Sequence, residues 1–83
     1  MRVTLEDWKN GWCGIEVAIS PPEIDRLILL LQELKADPRQ HFHISSDYRD
    51  SGGVGDIEVF IKPDNELDNL FLSSTALQPG DEV

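Results

Sequence analysis

Ser20-Pro21-Pro22-Glu23-Ile24-Asp25-Arg26-Leu27-Ile28-Leu29-Leu30-Leu31-Gln32-Glu33-Leu34 is the stretch around which the rest of the chain must arrange itself. Ser20 can cap the free amide of Glu23 while the Glu23 carboxylate answers the Ser20 amide, and the two prolines stand where helical amides have no partner anyway. Ile24, Leu27, Ile28, Leu31 and Leu34 then recur at spacings of three and four, one stripe of a helix. The pattern predicts a helix from about 21 to 36, ended before Pro38, with Leu31 at the centre of its buried face. Leu30 lies at the edge of that stripe and Leu29 well off it.

On the amino-terminal side, Val3 and Leu5 share one face, and Cys13, Ile15, Val17 and Ile19 alternate at period two, which predicts strands over 2–8 and 12–19. Lys9-Asn10-Gly11 between them contains Asn-Gly, a pair favoured where a hairpin needs positive φ. On the carboxyl-terminal side, His41-Phe42-His43-Ile44-Ser45 alternates, and Val54 to Ile61 does so again through Ile57, Val59 and Ile61. The glycines and aspartates from Asp47 to Asp56 read as a long hairpin loop, and Pro63 stops the last strand. Residues 64–72 read as a short edge strand or a turn carrying Leu67, Leu70, Phe71 and Leu72, and 73–83 as a flexible acidic tail. The expectation is a single α+β domain over residues 1–72, ordered ββαββ, with one helix on one face of a mainly antiparallel four-stranded sheet. There is no internal repeat.

Composition limits the function. The 83 residues carry 16 acidic and 7 basic side chains, a net charge of -9. Such a surface repels phosphate backbones and anionic lipid heads, so neither nucleic acid nor membrane is an expected partner, and basic proteins are favoured. Residues 1–40 hold 7 acidic and 5 basic groups against 9 and 2 in residues 41–83, so the carboxyl half supplies most of the field. Cys13 is the one cysteine, which rules out an intrachain disulfide and fits a reducing cytoplasm. Charge interrupts the amino terminus before any secretory h-region forms, and the longest aliphatic run, Leu27 to Leu31, is far short of a membrane span.

Strand parity assigns the remaining residues to faces. With Val3, Leu5, Cys13, Ile15, Val17 and Ile19 turned to the helix, Glu6, Trp8, Trp12, Glu16 and Ala18 face away; with Phe42, Ile44, Ile57, Val59 and Ile61 inward, His41, His43, Glu58 and Phe60 face out. Trp8, Trp12, His43 and Phe60, with Asp47, Asp50, Asp56 and Glu58 at the rim, form the expected partner-binding set, since aromatic residues are enriched at interface cores. The alternative for Trp8 and Trp12 is that they pack on each other and clip the first hairpin. His41 and His43 project to one side, and Glu58 or Asp47 could add an oxygen ligand. Two imidazoles are not by themselves a metal site, and the expectation is no metal and no cofactor. Cys13 reads as a small buried hydrophobe rather than a nucleophile. Gly52, Gly53 and Gly55 lead into a strand, without the helix amino terminus that lets a glycine loop hold phosphate. A binder, not an enzyme, is expected.

The order from Ile24 to Lys62 resembles the small immunity proteins of bacterial polymorphic toxin systems. The carrying residues are the leucine-rich helix Leu27 to Leu34, then His41-Phe42-His43-Ile44, a Gly-Gly loop at Gly52-Gly53, and the strand ending Val59-Phe60-Ile61. The resemblance implies a cytoplasmic α+β protein that binds and blocks a toxin, with acidic residues steering toward a basic toxin surface and no catalytic residues to carry over. The other reading of the same open face is a structural or regulatory homodimer.

Overall fold

A computed structural model of the chain describes residues 1–73. The tail assigned to 73–83 therefore lies, apart from Ser73, outside the described residues. The protein is α+β, with strand β1 (Arg2–Asp7), strand β2 (Cys13–Ala18), helix α1 (Pro21–Ala36), strand β3 (His41–Ser45) and strand β4 (Asp56–Phe60). The element order is the expected one. The sheet is not: among the described residues β1 pairs only with β2 and β3 only with β4, giving two antiparallel two-stranded sheets in place of one of four strands. Alternation along a strand fixes which face each side chain takes but says nothing about which edge meets which.

Local chemistry explains each element. In the first turn, Trp8 N–H donates to the Trp12 carbonyl at 3.1 Å, closing a three-residue loop. Lys9 (φ 59°) and Gly11 (φ 93°), not Asn10, take the left-handed conformations. Asn10 contributes through its side chain, accepting the Trp12 amide at 3.0 Å, while Asp7 accepts the Lys9 amide at 2.8 Å. At the helix start, the Glu23 carboxylate accepts from the Ser20 amide (3.2 Å) and hydroxyl (2.8 Å), as the sequence predicts for the Glu23 half of the box. At its end, the Asp37 amide donates to Glu33, and the Asp37 carboxylate accepts from Arg39 and Gln40. Arg39 foremost, then Gln40, holds that carboxyl below its ordinary range.

Packing separates the two halves. Leu34, 5% exposed, is the one buried hydrophobe among the described residues. Leu27 and Leu30 are half-buried and share a hollow of about 340 Å³ with Phe42 and Ile44, so α1 addresses the second hairpin. On that hairpin Phe42, Ile44, Ile57 and Val59 are half-buried and alternate with exposed neighbours. The helix phase thus differs from the expected one: Leu27, Leu30 and Leu34 point inward, while Leu31 is 45% exposed and Ile24 and Ile28 are exposed beside it. A run of leucines and isoleucines offers two adjacent stripes of nearly equal apolar content, and the sheet selects one. Residues 64–72 contain a turn rather than a strand, pinned by Lys62 Nζ on the Glu66 carbonyl (2.8 Å) and on Asp68 (3.2 Å). Among the described residues no helix is long and apolar enough to cross a membrane.

Candidate protein-interaction surface

The first hairpin presents an apolar face that the described residues leave largely exposed. Its register sets Val3 opposite Val17, Leu5 opposite Ile15 and Asp7 opposite Cys13, so all six project to one side. Leu5 is 56%, Ile15 57% and Val17 52% exposed. The expectation that this face packs under the helix is therefore corrected. The strands form two separate two-stranded sheets, so a helix set against one of them does not thereby cover the other. The half-buried leucines of α1, Leu27 and Leu30, share their hollow with β3 and not with the apolar residues of β1 and β2. Cys13 shares the consequence and is an exposed thiol, not a buried one.

Acidic groups adjoin this face. A hollow of about 890 Å³ separates β1 from the second hairpin and its loop; Val3 and Leu5 line one side, and Ile44, Ile57, Asp47, Tyr48 and Asp50 line the other. The loop is shaped locally: Asp47 pairs with Arg49 at 3.0 Å, the Tyr48 amide donates to the Ser46 hydroxyl at 2.9 Å, and the Tyr48 ring lies over Gly55, where a Cβ would stand 3.1 Å from it. Thus Asp47 and Asp50, two members of the expected partner-binding set, border the apolar face.

The other members separate into two groups. Trp8 and Trp12 are opposite each other at the tip of the first hairpin, on the face away from Leu5 and Ile15, and both are exposed. Trp8 folds back over Gly14, at which a Cβ would meet its ring at 3.0 Å. Among the described residues the one close pair of aromatic rings is His41–His43, so the tryptophans do not clip the hairpin by stacking. His43, Asp56, Glu58 and Phe60 share the exposed face of the second hairpin with His41 and Ser45. A single open face carrying all three aromatics does not form, because the sheet that would have joined them is two sheets.

On that second face the polar groups are organised. The Asp56 carboxylate meets His43 Nδ1 at 2.9 Å and accepts the Ser45 hydroxyl at 2.8 Å. His43 first, then Ser45, holds the Asp56 carboxyl below its ordinary range. Potential ligand atoms of His41, His43 and Glu58 all lie within 4.8 Å of one another. Of the two oxygen donors considered from sequence, Glu58 joins the imidazoles, and Asp47 is engaged with Arg49.

Comparison of the chain with protein families, curated proteins and solved structures finds no match. The surface must be read from its own chemistry.

Proposed function

We propose that this is a small acidic module that binds another protein, acting in the cytoplasm as an immunity-type inhibitor that blocks a basic toxin domain. The observation that carries the reading is the face of Leu5, Ile15 and Val17, left exposed by the described residues, beside Asp47 and Asp50. A lone two-stranded hairpin is marginally stable in water, and one with an open apolar face gains from any surface that covers it, at about 25 cal/mol per Å² before ordering costs. A net charge of -9 selects for a partner of opposite sign and speeds its approach, and it disfavours a second copy of the chain. The immunity-protein resemblance from Ile24 to Lys62 supplies the class of partner, and the site requires no catalytic group.

The test is co-expression with the product of the gene adjacent to its own. The native chain should relieve growth arrest and co-purify with that product, and a Leu5→Ser, Ile15→Ser variant should do neither. Equal protection by the variant would discard this face as the contact. A sedimentation mass that doubles with concentration, and reverts in the same variant, would replace the reading with a homodimer.

A further inference from the structure

The outer face of the second hairpin carries a separate device. The β3–β4 register places Glu58 directly across from His43, and His41 follows on the same side two residues away. Two imidazoles and a carboxylate therefore converge from neighbouring backbone positions, with ligand atoms within 4.8 Å of one another. A tetrahedral ion with bonds of about 2.0–2.1 Å holds its ligand atoms about 3.3 Å apart. The difference is within the reach of small side-chain rotations, and all three groups are exposed. The imidazole rings stand 5.1 Å apart and nearly perpendicular, at 82°.

The surroundings of His43 are those of a metal-ligating histidine. Its Nδ1 faces the Asp56 carboxylate at 2.9 and 3.2 Å, and Asp56 is fixed in turn by the Ser45 hydroxyl at 2.8 Å. With the proton of a neutral ring on Nδ1 and donated to Asp56, the lone pair sits on Nε2, the atom free to ligate. A carboxylate behind a ligating histidine orients the ring and raises its basicity. The donor set of two imidazoles and one carboxylate suits zinc-class transition ions and not calcium or magnesium, which take oxygen shells.

We propose that His41, His43 and Glu58 bind one divalent transition cation of the zinc class, with Asp56 as the outer partner of His43 and the fourth position open to water. This does not depend on the protein-binding role, since Leu5, Ile15 and Val17 lie on the other hairpin.

The experiment is titration of the full chain with zinc ion alone, by calorimetry and against a chromophoric chelator, with proton NMR of the two histidine rings. One equivalent should bind at micromolar metal, and both sets of ring signals should shift together. His41→Ala and His43→Ala should each weaken binding at least tenfold. Asp56→Asn should weaken it by roughly 10–100-fold. Cys13→Ser should leave it unchanged, and circular dichroism should show every variant folded. The proposal is overturned if no saturable binding occurs below millimolar zinc, if only one ring responds in the native chain, or if Cys13→Ser removes the binding.

Discussion

The two hairpins of this protein have the same number of strands, the same antiparallel pairing and the same alternation of apolar side chains. They differ in what lies above them. β3 faces α1 across a shared hollow, and Phe42, Ile44, Ile57 and Val59 are half-buried. On β1 and β2, Leu5, Ile15 and Val17 stay more than half exposed among the described residues. Apolar alternation is thus a statement about a face's readiness to be covered, and the supply of covering elements decides which face is satisfied within the chain. The unsatisfied face is where another molecule is to be sought.

The largest test of that contrast is inside the covered half. Leu34 is the buried residue of the helix, and Leu34→Ala should cost on the order of 2–5 kcal/mol, enough to unfold a small domain. Leu31→Ala, three residues earlier on an exposed stripe, should cost less than about 1 kcal/mol, because alanine is also the better helix former. Denaturant midpoints of the two variants decide the matter. A larger shift for Leu31 would reverse the helix phase.

Much of this was legible in the residues. The helix runs from Pro21 to Ala36 because a capping pair, two prolines and Pro38 bracket it, and those are local signals. Strand positions and faces follow from period two, which is local as well. Sheet order, helix rotation and the exposure of Cys13 are not local. Ile24, Leu27, Ile28, Leu30, Leu31 and Leu34 allow two rotations that differ by less than one residue's turn, and no local rule ranks them. The exposure of Leu5, Ile15 and Val17 follows from the pairing of the strands into two sheets, which no local pattern encodes. The site on the second hairpin was half legible, since i, i+2 spacing pairs His41 with His43, but the register that brings Glu58 rather than Asp47 beside them is a property of the loop length.

A smaller effect is expected at Gly14. Trp8 covers it, and the Cβ of Gly14→Ala would stand 3.0 Å from the ring, too close for Trp8 to stay where it is. Trp8 is half exposed and can swing outward, so the stability change should stay within about 1 kcal/mol. Tryptophan emission should shift to the red as the ring enters water, and a Trp8→Phe background should abolish that shift. Unchanged emission in Gly14→Ala would mean that Trp8 does not rest on this hairpin.

On the open face itself the free chain should hardly respond. Ile15→Ser removes an apolar group that is already 57% exposed, and the midpoint should move by no more than about 0.5 kcal/mol. Cys13, on the same face, should react stoichiometrically with a thiol reagent without denaturant, and a bound partner should slow that reaction. A Cys13 that reacts only after unfolding would show the face to be covered within the chain.

The least costly change should be Glu23→Gln, and its information lies in pH. Among the described residues, the ion pair from the Met1 ammonium to Glu23, 2.7 Å, is the one salt bridge joining the first hairpin segment to the helix. That ammonium foremost, then the Ser20 hydroxyl and amide, lowers the Glu23 carboxyl from its ordinary 4.5 to about 2. A carboxyl whose folded pKa lies below its unfolded value stabilises the fold at every pH above the unfolded value, and that contribution drains away as pH falls toward the folded one. The native chain should therefore be the more stable at neutral pH, and its advantage over Glu23→Gln should shrink between pH 4.5 and about 2. Because the pair is exposed, salt should shrink it too. A difference between the two proteins that is independent of both pH and salt would mean that the first hairpin is not held through this ion pair, and that its attachment to the helix has another origin.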